Sequence, residues 1–209
     1  MKPPVTRERR GQLDRGEAEA THLTEVLAVD FAKLMANVAP DLPASAITPM
    51  RNAAKRGITL RMQGAATLLR AHALGDPVPW SAHASDTVRG WACYLIGSDP
   101  RLTLERKLDA LRGLADDAHF GVREWAWLAV RPHIAAEPLR VLAHLQAWAH
   151  DASPNVRLTT AGEALALTLF DQHTQWIRDL FADLNEAERT LLSGMLCRIW
   201  ARTDAGRTA

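Results

Sequence analysis

The residues with the clearest potential for chemistry form a basic and aromatic stripe in the middle of the chain. Arg123, Trp127 and Arg131 are spaced at i, i+4 and i+8, which places them on one face of a helix. Arginines on such a face could contact a nucleic-acid backbone, and a tryptophan ring could pack against a sugar or a base. The spacing also fits a core tryptophan between arginines that are solvated or that bridge neighbouring repeats. Both interpretations of the stripe remain open at this point.

Three carboxylates near the stripe are candidates for catalysis. Glu124 lies beside Arg123 and Trp127 in the sequence, and the other two are Asp86 and Asp117. A carboxylate in that place could stabilise positive charge that develops in a transition state. The alternative for Glu124 is a solvated charge on a helix surface. We name Trp127 and Glu124 as the candidate catalytic residues.

The histidines and cysteines predict neither a metal site nor a cofactor. The eight histidines show no HExxH or comparable spacing, and His119 is expected at the N-terminus of a helix. Cys93 and Cys197 lie in apolar helical patterns without a CxxC spacing. We therefore expect no disulfide and a reducing, cytoplasmic location.

The composition excludes some partners and favours none. With 47% hydrophobic and 23% charged residues and a formal charge of +1, the 209-residue chain is neither a polycation nor disordered throughout. It opens on charges and prolines where a signal peptide needs an apolar run, and it contains no long uncharged stretch. We expect no membrane partner.

An internal repeat must position the residues named above. Three segments align without a gap at a spacing of 34 residues, and two positions recur in each: Val88, Val122 and Val156 at the first, Arg89, Arg123 and Arg157 at the second. A helix, a turn with an aspartate and a second helix that opens with Val-Arg is typical of a HEAT unit. Each helical pair has an apolar face that it cannot bury alone, so stacked pairs form a solenoid with a concave surface. The predicted fold is all-α, a HEAT-like helical-repeat solenoid followed by a C-terminal helical tail.

The repeated arginines have a structural interpretation and a binding one. An arginine at the start of an inner helix often pairs with the turn aspartate of its own or the adjacent unit, and Asp117 with Arg123 and Asp151 with Arg157 fit such a ladder. A paired arginine can still offer donors to a phosphate. We therefore keep Arg89, Arg123, Arg131 and Arg157 as candidate phosphate contacts.

The apolar spacing divides the chain into four parts. We expect a disordered basic tail at 1–17, the HEAT-like domain at 18–156, a capping or dimerising helical segment at 157–203 and a disordered end at 204–209. After a first helix that ends before Pro40, helices are predicted at about 44–56, 57–74, 86–98, 102–115, 119–134, 137–150, 157–183 and 186–203. The tryptophans Trp80, Trp91, Trp125 and Trp148 are expected to pack between them.

The last predicted helix has a start signal and an apolar stripe. Asn185 with Glu188 three residues on forms a capping box. The stripe that follows, at Leu191, Leu192, Met195, Leu196, Ile199 and Trp200, needs a cover. Either the end of the solenoid or a second copy of the chain could provide it, so 186–203 predicts a cap or a homodimer contact.

Residues 15–157 resemble the HEAT-like bacterial DNA alkylation repair proteins related to the AlkD and AlkC alkylpurine glycosylases. The resemblance lies in RGEAEATHLTEVLAVDFAKLM, SDTVRGWACYLIG and ADDAHFGVREWAWLAVRPHI. It implies a basic concave surface that holds duplex DNA, and enzymes that excise N3- or N7-alkylated purines. In that chemistry a carboxylate supports the sugar cation, and tryptophans pack against the sugar of the lesion.

The chain departs from this family at two places. AlkC-like members begin the stretch that matches His119-Phe-Gly-Val-Arg with a catalytic glutamate, and after Val156 Gly162 stands where a further glutamate is expected, with Glu163 beside it. Residues 156–202 instead resemble the end of MarR-type regulators, whose helices dimerise. The resemblance implies a protein that binds duplex DNA through Arg89, Arg123, Arg131 and Arg157, with glycosylase activity left open. The alternative is a non-catalytic HEAT-repeat scaffold that binds protein and dimerises through its tail.

Overall fold

The computed structural model of the chain is helical throughout the part that it describes. That part comprises residues 5–156 and, further on, residues 185–188, 190, 191, 194 and 195. It contains no strand, so the all-α prediction is confirmed for these residues. None of their helices has the length and apolarity needed to cross a membrane. The chain divides into two units, Met1–Arg157 and Leu158–Ala209, and each is described by itself.

The helices of the first unit match most of the predicted ones. In chain order they are α1 (Arg7–Arg15), α2 (Leu23–Ala28), α3 (Phe31–Val38), α4 (Ala44–Asn52), α5 (Ile58–Ala71), α6 (Val78–Ser81), α7 (Asp86–Gly97), α8 (Leu104–Ala115), α9 (Phe120–Ala136) and α10 (Pro138–Leu145), with 3-10 turns at Ala53–Lys55 and Gln146–His150. The six helices predicted between 44 and 150 correspond to α4, α5, α7, α8, α9 and α10. Helices α1 and α6 were not predicted.

The N-terminal segment corrects the sequence prediction of a disordered tail at 1–17. Within it, residues 7–15 form α1, which starts at a Thr6 cap and ends at Gly16 in the left-handed conformation, with φ of 74°. Leu13 is buried, and the buried carboxylate of Asp14 accepts the N–H of Asp30 at 2.8 Å. The burial of Leu13 and the long-range hydrogen bonds of Asp14 and Arg9 thus order a segment whose composition is polar.

A second difference concerns the first predicted helix, which the structure divides into α2 and α3. Asp30 caps the N-terminus of α3, because its Oδ1 accepts the N–H groups of Ala32 and Lys33 at 3.1 and 3.2 Å. Val29 just before it is extended, with φ of −59° and ψ of 127°. The apolar pattern that predicts one helix is therefore divided at Val29 and Asp30, and a new helix starts after the aspartate cap.

Helix α7 lies at the centre of the unit. It packs against α5, α6, α8 and α9, and all twelve of its residues are buried. Two glycines on one face of α7 allow α9 to approach closely. A Cβ at Gly90 would lie 2.5 Å from Cε3 of Trp125, and one at Gly97 would lie 2.5 Å from the carbonyl oxygen of Ala129. Neither position can hold a larger side chain unless the helices move apart.

The four tryptophans expected to pack between helices are buried, so this prediction is confirmed. Trp91 is fully buried, and the exposed fractions of Trp80, Trp125 and Trp148 are below one tenth. The ring of Phe31 lies 5.9 Å from that of Trp91. This contact joins α3 to α7 and covers α7 with the N-terminal segment.

The described residues of the second unit contain the predicted capping box. The N–H of Asn185 donates to Oε2 of Glu188 at 2.8 Å, and the N–H of Glu188 donates to Oδ1 of Asn185 at 3.1 Å. Leu191 and Met195 of the predicted apolar stripe are exposed, at 63% and 48%. Most of the predicted helices at 157–183 and 186–203 lie outside the described residues.

Candidate nucleic-acid interface

The two repeated arginines of the described unit make equivalent contacts with the backbone. Nη1 of Arg89 donates to the carbonyls of His83 and Ala84 at 2.8 and 3.2 Å. Nη1 of Arg123, 34 residues later, donates to the carbonyls of Asp117 and Ala118 at 2.7 and 2.9 Å. In both repeats the arginine of the second helix thus fixes the turn that precedes it.

Arg89 is further held by two carboxylates. Its Nε donates to Oδ2 of Asp117 at 2.8 Å, its Nη2 donates to Oδ1 at 3.0 Å, and Nη2 also pairs with Glu19. Burial alone would lower the pKa of Arg89, but the hydrogen bonds and charges of Asp117 and Glu19 outweigh it, so the pKa is raised. The Arg89 side chain is 10% exposed. A guanidinium with this exposure and these partners offers no free donor to a phosphate.

The turn aspartate therefore pairs across repeats. The sequence predicts that Asp117 pairs with Arg123 or with an arginine of the adjacent unit. In the structure the carboxylate of Asp117 binds Arg89, in the preceding unit. Asp151, the equivalent of Asp117, binds Nε of Arg112 at 2.7 Å. Arg157, the third repeated arginine, lies outside the described residues.

Arg123 and Arg131 differ from Arg89 in their electrostatic surroundings. Arg123 is half-buried and Arg131 is exposed. Neither forms an ion pair with any residue of the described part of the chain. Of the three candidate DNA contacts that the structure describes, these two have charges that are not compensated by a described carboxylate.

Trp127 packs partly into the core and partly against a second tryptophan. Its ring centroid lies 5.7 Å from that of Trp148, with an angle of 58° between the planes. Leu108, Leu111 and Val130 line the same small space between α8 and α9. The side chain is half-buried, so most of its contacts are those of a packing residue and only its remaining surface could meet a ligand.

The face of α9 that bears Glu124, Trp127 and Arg131 has a counterpart in α7. At the same repeat positions α7 has Gly90, Cys93 and Gly97, and these residues pack against α9. Cys93 is fully buried, which raises the pKa of its thiol strongly. In α9 the three positions hold large or charged residues, and Glu124 and Arg131 are exposed. The positions that pack closely against a neighbouring helix in α7 thus hold large or exposed charged residues in α9.

Asp86, one of the candidate carboxylates, is fully buried. Its Oδ1 accepts the N–H of Ala20 at 3.1 Å, and its Oδ2 has no hydrogen-bond partner among the described residues. Burial raises the pKa of Asp86, while the Ala20 hydrogen bond and the nearby His119 and Arg89 oppose this shift. A carboxylate without access to solvent cannot reach a DNA substrate. Asp117 is already paired with Arg89, so Glu124 is the exposed candidate of the three.

His119 completes the contacts at this buried site. It caps α9, because its Nδ1 accepts the N–H of Gly121 at 3.2 Å, so the ring proton is assigned to Nε2. Nε2 then donates to the carbonyl of Ala20 at 2.5 Å and lies 3.7 Å from Oδ2 of Asp86. Both backbone groups of Ala20 are thereby tied to the N-termini of α7 and α9.

No sequence pattern identifies Glu19 and Ala20 as partners of these helices. They lie 70 residues before Arg89 and 66 residues before Asp86. Ala20 contributes only backbone groups, which leave no signature in residue type. Glu19 is one of 24 acidic residues, and no spacing distinguishes it.

The structure and comparisons with other proteins add two negative findings. Within the described residues, no group of three or more His, Cys, Asp or Glu side chains could hold a metal ion. No protein-family model, curated protein or solved structure matches the chain.

Proposed function

We propose that residues 18–156 are a HEAT-like repeat domain of the DNA alkylation repair type, which binds duplex DNA through the exposed face of α9. The packing of α7 between α5 and α9 and the equivalent bonds of Arg89 and Arg123 support a repeat architecture. One observation supports the binding face. Glu124, Trp127 and Arg131 replace the small residues Gly90, Cys93 and Gly97 of the preceding repeat.

The chemistry of this face fits a nucleic-acid backbone. Arg123 and Arg131 provide cationic donors that no described carboxylate neutralises, and such donors bind phosphates by releasing counterions. Trp127 offers its remaining surface to a sugar. Arg89 acts in this proposal as a structural residue, because its donors are already used by Asp117, Glu19 and two carbonyls.

The binding proposal is tested by a salt titration with labelled duplex DNA. Arg131→Ala should weaken binding and lower the slope of log K against log salt by about one unit. Arg106→Ala is the matched control, because Arg106 is an exposed arginine on α8 with no ion pair to a described residue. Absence of duplex affinity at low salt, or equal effects of the two substitutions, would contradict the proposal.

Glycosylase activity is the catalytic extension of the same proposal. Glu124 would stabilise the sugar cation, and Trp127 would pack against the sugar. Glu124→Gln should then abolish release of methylated purine from alkylated duplex DNA while binding is retained. If the unaltered protein releases no base above the spontaneous rate but still binds DNA, the extension is wrong and the binding proposal stands.

A second candidate function is a non-catalytic protein scaffold that dimerises through 186–203. The exposed Leu191 and Met195 favour this candidate, because apolar surface costs about 25 cal/mol per Å² in water. The burial of α7 also removes Arg89 from any binding surface. Sedimentation tests whether 186–203 is a dimer contact or a cap of the same chain, since a monomer at high protein concentration would contradict dimerisation.

A further inference from the structure

A surface formed by α4, α5 and the turn between them has a local positive charge. Between Asp41 and Asp76 the sequence contains no acidic residue. Arg51, Lys55 and Arg56 are exposed there and form no ion pair within residues 5–156. Since the whole chain has a net charge of +1, these three residues form a local positive patch on a nearly neutral protein.

The other two arginines of this acid-free stretch are used inside the fold. Arg61 is buried, donates to the carbonyl of Val29, and has its guanidinium carbon 4.1 Å from the centroid of the Phe31 ring. Arg70 donates to the carbonyls of Leu95 and Ser98 at 2.6 and 2.7 Å. The exposed charge of the surface therefore comes from Arg51, Lys55 and Arg56.

The same surface contains a groove of about 490 Å³ between α4 and α5. Ser45, Thr48 and Arg56 line it with polar groups, whereas Leu60 and Leu68 line it with apolar ones. Leu60 is 51% exposed. A single exposed leucine is ordinary, but here two leucines line one groove together with Arg56, and Lys55 is its neighbour in the sequence. No acidic side chain is among the described residues that line it.

We propose that the α4–α5 groove docks an acidic amphipathic helix of a protein partner. The apolar face of that helix would cover Leu60 and Leu68, and its glutamates or aspartates would lie along Arg51, Lys55 and Arg56. Helix-in-groove recognition uses this combination of an apolar floor and a charged rim. On α5 the lining residues run from Leu60 to Leu68, so the groove contacts a partner helix over about 12 Å, or roughly two turns.

The apolar floor favours a peptide over a nucleic acid. A phosphate backbone would use the basic rim and leave Leu60 and Leu68 without a partner, whereas an amphipathic helix uses both. The proposal concerns a different surface from the α9 face and does not depend on DNA binding there.

The experiment measures the fluorescence anisotropy of a labelled synthetic peptide of about four helical turns, with leucines on one face and glutamates on the others. The full-length protein should bind it, and added salt should weaken binding. Arg56→Glu and Lys55→Glu should each weaken it by about tenfold. Leu60→Ser should weaken it without changing the salt dependence, because Leu60 contributes apolar contact and no charge.

Two controls make the result specific to the groove. Arg106→Glu changes the charge of α8 by the same amount and should leave peptide affinity unchanged. A peptide of the same composition with its leucines spread around all faces should bind at least tenfold more weakly, because it cannot present an apolar face. Thermal unfolding of each variant verifies that the exposed substitutions leave the fold intact.

Three outcomes would overturn the proposal. The first is no binding of the amphipathic peptide at low salt. The second is equal binding of the two peptides, which would reduce the surface to a non-specific cation patch. The third is a loss of duplex DNA affinity in Lys55→Glu and Arg56→Glu without any change in peptide binding, which would assign the patch to nucleic acid.

Discussion

Arg89 and Arg123 donate from Nη1 to the carbonyls that precede them by six and five residues, and among the residues that the structure describes Arg89 alone of the two also binds carboxylates. The equivalent distances are 2.8 and 3.2 Å for Arg89 and 2.7 and 2.9 Å for Arg123. The shared bonds fix the turn of each repeat. The bidentate pair with Asp117 adds a contact between one repeat and the next.

The two arginines should differ in their contribution to stability. Arg89→Ala leaves the nearly buried Asp117 carboxylate without its guanidinium partner, so we expect a loss of about 3 kcal/mol in the free energy of unfolding. Arg123→Ala removes hydrogen bonds to two carbonyls near solvent and should cost about 1 kcal/mol. Urea denaturation of both variants measures the difference, and equal losses would contradict the assigned role of Asp117.

The glycines of α7 provide a test of the packing between α7 and α9. Gly90→Ala and Gly97→Ala would each place a Cβ 2.5 Å from an atom of α9. We expect each substitution to lower the free energy of unfolding by about 2 kcal/mol or more, because the helices must separate. The measurement is chemical denaturation monitored by tryptophan fluorescence.

Gly113 is the matched control for these substitutions. It lies in α8, and a Cβ added there would meet no atom within 4 Å. Gly113→Ala should stabilise the protein by about 0.5–1 kcal/mol, since alanine favours a helix more than glycine does. If all three glycines gave the same result, close packing would not explain Gly90 and Gly97.

The predicted elements show which parts of the fold depend on local pattern. Helices α4, α5, α7, α8 and α9 have apolar spacing that matches the helical period, and they were predicted to within a few residues. Helix α1 was missed because its order depends on tertiary contacts. Leu13 and Asp14 make those contacts. Their partners lie later in the chain, in α3 and at Asp30, which caps it.

The site was harder to predict than the fold, for a physical reason. The 34-residue spacing identified Arg89 and Arg123 as equivalent, but it could not separate a neutralised arginine from an uncompensated one. That difference depends on Asp117 and Glu19, and Glu19 lies 70 residues before Arg89 in the sequence. Likewise, no sequence pattern indicates that Ala20 uses both of its backbone groups to bind Asp86 and His119.

Acid should destabilise the protein through Glu25. Hydrogen bonds from the Arg9 guanidinium, and then from Thr21, lower the pKa of this carboxyl to about 2. A depressed folded-state pKa means that the stabilisation is present above pH 4.5, the ordinary glutamate value, and is lost as the pH falls toward 2. We expect a loss of about 1–2 kcal/mol, less than the full linkage value because Arg9 is partly exposed.

The measurement is urea denaturation at a series of pH values from 6 downward, as far as the protein stays folded without urea. Glu25→Gln should be less stable at pH 6 and should lose less stability than the unaltered protein on acidification. Glu17→Gln is the control, because Glu17 also accepts from an arginine, Arg15, but is exposed. Identical pH profiles for Glu25→Gln and the unaltered protein would remove Glu25 as the cause.

Asp86 should have the opposite dependence on pH. Its folded-state pKa is raised by burial, and the groups that oppose this shift are the N–H of Ala20, His119 and Arg89. A raised folded-state pKa means that the carboxyl contributes most below the ordinary value of 3.8 and that its contribution is lost as the pH rises above it.

Asp86→Asn keeps an oxygen that can accept the Ala20 N–H and removes the charge. The variant should therefore gain stability relative to the unaltered protein as the pH increases from 4 to 7, measured by urea denaturation. Asp109→Asn is the control, because Asp109 is an exposed aspartate whose partner is His144. A relative stability of Asp86→Asn that stays constant or falls over this range would contradict a raised pKa of the Asp86 carboxyl in the folded protein.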